Sequence, residues 1–335
     1  MPTNEERKLA HLALCLNESN RGNGAGLDHL CLPYDALFEM QPDRLDTTSK
    51  IAGIAVKFPL MFGAMTGGIP QAAEFNTALR KLAQTHGLAM CLGSIRVCLE
   101  NDSLHETYGT GEVEALFANL GASEIKRYKV EYVAEKCKRL GCAGLFIHLN
   151  GLQEYVQDEG NHAFCCNYEN LQRFVEAFPM PVLIKEVGSG IGGGCANRLG
   201  MLPIAGIETS SRGGTSWIKI EAMRRQVPIS GSNITALDQI GYSLESSIHC
   251  CRAALGDRTL IASGGIRHAL DLVKALSLGA DLVAIAQPLY RAYHDHQTAG
   301  IESLVQEWID IGRLIWRSTG CPNLASLRMC LTTPA

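Results

Sequence analysis

The sequence has 335 residues, 46% hydrophobic and 19% charged, with 34 glycines, a balance that excludes disorder, collagen and coiled coil. Its 30 Lys and Arg against 34 Asp and Glu leave a net charge of −4, so no bulk field draws it to nucleic acid or to an anionic membrane. The length suits two ordinary domains or one barrel of eight strand–helix units, which needs about 250 residues.

At the start, an apolar run at 12–16 is too short for a signal peptide, and no stretch approaches the ~18 apolar residues of a membrane span. The chain is expected to be soluble and cytoplasmic. Eight short apolar runs then follow, at 58–65, 88–93, 115–120, 144–150, 182–187, 203–209, 259–263 and 282–286. Their apolar residues are nearly continuous, as in strands covered on both faces of a parallel sheet. Helical patterns separate them at 72–86, 126–140, 168–178, 236–255 and 267–278; in the first, Ala73, Phe75, Asn76, Leu79, Leu82 and Ala83 share one broad face. Pro179 and Pro181 stop the pattern that ends at 178.

This alternation suits a closed barrel or a doubly wound sheet. No Gly-x-Gly-x-x-Gly follows the first strand, and polar, Gly-rich turns sit at the C-terminal ends of many strands. The expectation is an α/β fold, a (β/α)8 TIM barrel over 56–335, with an N-terminal helical arm over 1–55. Thirteen cysteines include the pairs Cys165-Cys166 and Cys250-Cys251 but no Cys-x-x-Cys. They read as small hydrophobes in a reducing compartment and not as a zinc or iron–sulfur cradle. His249 beside Cys250 and Cys251 lacks metal-ligand spacing, and Trp308 and Trp316 read as core of the last helix.

The residues that carry chemistry sit at strand ends. Ser263-Gly-Gly-Ile-Arg267 closes the seventh strand and Ala286-Gln287-Pro288 the eighth, the two loops where a phosphate usually sits in a barrel; the alternative is a tight turn with a solvated Arg267. Met65-Thr66-Gly67-Gly68 and Gly93-Ser94-Ile95-Arg96 end the first two strands, and Asn119 lies in the third. Small and hydroxyl residues there suit the edge of a flat ring. Lys185 either sets a cation against that ring or pairs with Glu186, although neighbouring strand residues face opposite ways. Gly213-Gly214-Thr215-Ser216 either wraps a ribityl-phosphate chain or is a surface loop. His148 and Asn150 share a face by alternation, and Glu154 at the rim suits Mg²⁺ completed by water and phosphate oxygens. Gln153 cannot titrate, so it orients or relays a proton. Arg7 and His11 share a helix face and, with Lys8, either clamp an anion or are solvated.

Taken in order, Arg7-Lys8-x-x-His11, Ala64-Met-Thr-Gly-Gly68, Gly93-Ser-x-Arg96, Ala118-Asn-Leu-Gly121, His148-Leu-Asn-x-x-Gln-Glu154, Lys185-Glu-Val-Gly188, Gly213-Gly-Thr-Ser-Trp217 and Ser263-Gly-Gly-Ile-Arg267 resemble the type 2 isopentenyl-diphosphate isomerases, FMN-dependent barrel enzymes. The resemblance implies FMN contacts at Ala64, Met65, Thr66, Ser94, Asn119, Lys185, Ser210 and Thr215, and FMN phosphate contacts at Gly265, Ile266, Arg267, Ala286 and Gln287. It implies a substrate diphosphate at Arg7, Lys8, Ser94, Ile95, Arg96, His148 and Asn150, Mg²⁺ at Glu154, and Gln153 as the catalytic residue near the allyl end. NADPH would reduce the flavin once, and the reduced ring would deliver a proton to an unactivated alkene and stabilise the positive charge. In relatives the N-terminal Arg-Lys reaches a neighbouring subunit's site, which implies a homo-oligomer, a tetramer or octamer. The sequence departs from the family at Ile95, usually Gln, at Pro228–Asn233, which lacks a common Trp, and at His268-Ala269 in place of an acidic-Gly pair. The competing expectations are a paralogue with another substrate, an FMN oxidoreductase of the 2-hydroxy-acid oxidase kind, and a non-catalytic flavin binder.

Overall fold

A computed structural model describes residues 4–160, 167–225 and 227–330; the pair Cys165-Cys166 lies outside them. The chain begins with helix α1 (Asn4–Cys15) and a two-stranded antiparallel hairpin, β1 (Ser49–Ile51) and β2 (Ile54–Val56). The barrel follows: β3 (Leu60–Phe62), α2 (Ala73–His86), β4 (Ala89–Cys91), α3 (Arg96–Glu100), β5 (Leu116–Gly121), α4 (Val130–Arg139), β6 (Gly144–His148), α5 (Gly151–Val156), α6 (Tyr168–Ala177), β7 (Val182–Lys185), α7 (Gly193–Gly200), β8 (Gly206–Glu208), α8 (Trp217–Arg224), α9 (Gly231–Asp238), α10 (Leu244–Leu255), β9 (Thr259–Ser263), α11 (Ala269–Ser277) and β10 (Leu282–Ile285). Helix α12 (Gln287–Ser318), interrupted at His296–Gln297, and α13 (Leu324–Arg328) complete it.

Strands β3 to β10 close in sequence order, all parallel, with β10 beside β3. Each of the eight apolar runs marks one strand, most of them shortened where the run continues into a loop, while β5 extends one residue past its run to Gly121. The pattern at 236–255 divides into α9 and α10, because Gly241 takes φ +114 between them and Ser243 caps α10 by accepting from Ser246 N. The expected boundary at 55/56 falls inside the hairpin, whose Ile51 and Val56 plug the N-terminal end of the barrel.

Met61, Cys91, Phe117, Phe146, Leu183, Ile261 and Leu282 fill the barrel's interior, with Phe117 and Phe146 edge to face at 5.5 Å. Removing either ring is worth about 3–5 kcal/mol, so the strands are held firmly beneath the C-terminal mouth. Trp308 and Trp316 lie on the buried face of α12, as expected of core. Among the described residues, no helix is long and apolar enough to cross a membrane.

Candidate active site

The C-terminal ends of the strands surround a cavity of about 280 Å³. Its phosphate-like end lies beyond β9 and β10. Gly265 adopts φ +80, and the space of its absent Cβ is taken by Gly24 C at 2.5 Å, so this turn requires glycine. No acceptor among the described residues takes the N–H of Gly265 or Ile266, and α12 begins close by with no side-chain cap. Such donors at a helix start suit a phosphate. The 22–24 segment closes the cradle: Gly22 N donates to Gly214 O at 2.7 Å, Gly24 N to Gly213 O at 3.0 Å, and Arg267 to Gly22 O. Burial and then the neighbouring Arg21 lower the Arg267 pKa, because both disfavour its charged form. Open donors, a cradle that a Cβ would fill and two converging arginines fit the phosphate of FMN.

Beneath the mouth, Lys185 faces inward, away from the helices. Its Nζ donates to Ser210 Oγ and Glu186 O, both at 3.0 Å, and lies 3.3 Å from Glu208 Oε1. The pairing weighed with Glu186 therefore falls to Glu208; the Glu186 carboxylate instead accepts from Val187 N and Gly188 N at 2.6 Å each. Asn119 Oδ1 lies 2.9 Å from His148 Nδ1. Burial, then Lys185 and Arg96, push His148 down to about 3, so His148 is a neutral hydrogen-bonding group.

The opposite end is cationic. Helix α1 lies across the mouth of its own barrel, with Leu12 packed beside Ile69 and Ala72 and Lys8 donating to Gly67 O. Arg7, Lys8 and Arg96 all line the cavity. Burial and then Arg7 and Arg96 lower Lys8 to about 7; burial and then Arg96 lower Arg7. In this chain Arg7 and Lys8 line the cavity of their own barrel, because α1 packs on α8.

Gln153 and Glu154 project from α5 beside this cluster. Gln153 Nε2 donates to Glu221 Oε1 at 2.9 Å, and His11 Nε2 lies 2.9 Å from the same oxygen. Burial raises the Glu221 pKa, but His11, Gln153 and Arg224 together bring it below the usual value. An ionised Glu221 thus fixes the Gln153 amide. Asn150 Nδ2 donates to Glu154 Oε1 at 3.0 Å. No three His, Cys, Asp or Glu side chains converge on a cation site among the described residues, so Mg²⁺ here would need ligand oxygens as well.

Every residue proposed from the sequence lines this one cavity except Ile95. Ile95 is fully buried in the hydrophobic core, because the chain turns into α3 at that position and directs its neighbours Ser94 and Arg96 to the cavity. Its side chain is packing, and the expectation of a substrate contact is corrected. The sequence reading missed Glu208, Glu221, Trp217 and Arg21. Trp217 sits edge-on to His11 at 5.2 Å; its place directly after Gly213-Gly-Thr-Ser was the available clue.

The family model for FMN-dependent dehydrogenases matches residues 147–333. The chain is 34% identical to an isopentenyl-diphosphate delta-isomerase of Mycobacterium marinum, over 96% of this chain and 95% of that one. It is 34% identical to the enzyme of that name from Synechocystis sp., over 91% of each. Solved structures share the fold: a mandelate oxidase at 18% identity, TM-score 0.67, covering 99% of this chain and 92% of that one, and flavocytochrome b2 at 17%, TM-score 0.70, covering 98% and 82%. Its near-full-length relatives, its family model and its cavity together place this chain among the FMN-dependent isopentenyl-diphosphate delta-isomerases.

Proposed function

We propose that the chain converts isopentenyl diphosphate to dimethylallyl diphosphate by a redox-neutral 1,3-proton shift on reduced FMN, with NADPH as reductant and Mg²⁺ at Glu154. One observation carries the reading: the cradle at Gly265, Ile266 and the start of α12 and the cationic cluster of Arg7, Lys8 and Arg96 open into the same cavity, which Gln153, held by Glu221, also lines.

When bound, reduced FMN supplies an electron-rich ring that can exchange a proton and stabilise positive charge on an alkene. The residues of this chain do the rest. Gly265, Ile266, Arg267, Ala286 and Gln287 hold the phosphate; Ala64, Met65, Thr66, Ser94, Asn119, Lys185, Ser210 and Thr215 line the ring and its chain. Arg7, Lys8, Ser94, Arg96, His148 and Asn150 grip the diphosphate, so its binding energy positions the alkene. Neutral His148 donates or accepts hydrogen bonds without competing for the proton. Gln153, held by Glu221, presents a fixed amide to the allyl end, and α1 over the mouth excludes water, which would trap a carbocation.

The test is to reduce the FMN-loaded protein with NADPH or dithionite, add Mg²⁺ and isopentenyl diphosphate in D₂O, and look for deuterated dimethylallyl diphosphate. The expected result is deuterium incorporation that falls by about a hundredfold or more in Gln153→Ala and becomes dependent on high Mg²⁺ in Glu154→Ala. Wild-type turnover in both variants removes the assignment. Oxidation of 2-hydroxy acids without isomerisation replaces it with the oxidase.

A further inference from the structure

The Lys185 ammonium has three protons, and in this chain each has a protein partner: Ser210 Oγ, Glu186 O and Glu208 Oε1. Its pairing with Glu208 follows from barrel register, since the two residues are direct partners on the neighbouring strands β7 and β8. Both are buried, at 7% and 3% exposure, and both line the cavity. Glu208 is also held in place, because Ser263 Oγ donates to its Oε1 at 2.8 Å and Ser210 Oγ lies 3.2 Å from the same atom. Its second oxygen, Oε2, is buried with no hydrogen-bond partner. A carboxylate so placed is under-solvated and acts strongly on any charge nearby. Three other titratable groups feel this pair: the Cys91 thiol of β4, pushed well up by burial and then by Glu208; His148, the register partner of Lys185 on β6, lowered by burial and then by Lys185; and Glu186, raised by burial against its three backbone hydrogen bonds and Lys185.

We infer that Glu208 is a positioning residue that holds Lys185 and offsets its charge, thereby setting how strongly the protein favours reduced over oxidised FMN. The inference rests on the proposed seat of the ring beside Lys185. A lone lysine there would favour the electron-rich, anionic ring as strongly as its charge allows; the carboxylate cancels part of that field. Two hydroxyls and a strand partner keep the carboxylate from swinging away, so the compensation is built into the barrel.

The experiment loads the wild type, Glu208→Gln and Glu208→Asp with FMN and measures two quantities: affinity for oxidised FMN, and midpoint potential by equilibration with reference dyes. Glu208→Gln is expected to shift the preference for reduced FMN by about tenfold, about 30 mV more positive for two electrons, with oxidised-FMN affinity within about threefold of wild type. Glu208→Asp keeps the charge and is expected to stay near the wild-type potential. An unchanged potential in Glu208→Gln overturns the inference, and so does a folded Glu208→Gln protein that cannot take up FMN. If that variant does not fold, Glu208→Ala is read in its place, with the same shift expected and the same overturning result. A purely packing role for Glu208 would alter stability and leave the potential alone. Wild-type protein that takes up no FMN would sink the functional reading instead, so the two failures are distinct.

Discussion

Gly265→Ala separates the phosphate cradle from the rest of the cavity. A Cβ on Gly265 would meet Gly24 C at 2.5 Å, Gly24 O at 2.6 Å and Ala25 N at 2.8 Å, all backbone. No flexible side-chain tip is available to yield, so one of the two loops must move. The left-handed conformation alone costs an L-residue about 1–2 kcal/mol. Gly53 supplies the control, because it has φ +86 and nothing within 4 Å of its absent Cβ. Unfolding entropy of about 2.1 cal/mol/K per residue makes 1 kcal/mol worth about 1.4 °C of Tm in a chain of this length. Gly53→Ala is therefore expected to lower the Tm of the FMN-free protein by about 1.5–3 °C and to leave FMN affinity within about twofold of wild type. Gly265→Ala is expected to lose at least as much stability and, with its N–H groups drawn off the anion, to bind FMN about 10–100-fold more weakly, or about 1.4–2.7 kcal/mol. Quenching of FMN fluorescence gives the affinity and calorimetry gives the Tm. Wild-type FMN affinity in Gly265→Ala would show that the phosphate does not rest on this turn.

Three further outcomes follow from the same geometry. His148 is lowered from 6.5 to about 3; since the folded value is below the unfolded one, its contribution to stability is complete above pH 6.5 and is lost as pH falls toward about 3. His148→Asn is expected to flatten that part of the FMN-free protein's stability–pH curve, and an unaltered curve would assign the window to another group. Lys8 is lowered to about 7 and attracts an anion only while protonated, so calorimetric titration with inorganic pyrophosphate is expected to show affinity lost as pH rises through about 7, relative to Lys8→Met, in which that component is absent. Ala52 occupies φ +49 beside Gly53 in the two-residue turn between β1 and β2, a turn that favours Asn-Gly; Ala52→Asn is expected to gain up to about 1 kcal/mol in urea unfolding, and a loss would mean that the alanine methyl packs usefully.

The barrel was legible because its strands are buried on both faces, which leaves unbroken apolar runs, and because phosphate-binding turns need glycine for backbone reasons that hold in any context. Residues whose role depends on what packs opposite them were not legible. Glu221 and Arg224 lie on a helix where, in sequence, they resemble a solvated face; α1 converts them into the support for Gln153 and His11. Glu208 gains its meaning only from strand register, which places it opposite Lys185 across the chain from its sequence neighbours. Ile95 failed for the reverse reason. It lies between two cavity residues in sequence, yet the helical turn beginning there rotates it into the core while Ser94 and Arg96 stay at the mouth. The hairpin of β1 and β2 went unread because three-residue strands are too short to display a period.

A chain with net charge −4 gathers Arg7, Lys8 and Arg96 at one end of one cavity, and their mutual repulsion, added to burial, is visible in the lowered pKa values of Arg7 and Lys8. Two of the three cations arrive on α1, a single helix held by the apolar contact of Leu12, the Lys8 hydrogen bond and the His11–Glu221 pair. Docked, that helix brings two cations toward Arg96, and a bound anion would offset their repulsion. By linkage, whatever free energy the diphosphate lends to the docking of α1, the docked helix returns as affinity for the diphosphate. On the proposed reading, an anion bridging α1 and Arg96 and the docking of α1 would strengthen each other, so closure of the mouth and grip on the diphosphate form one coupled equilibrium.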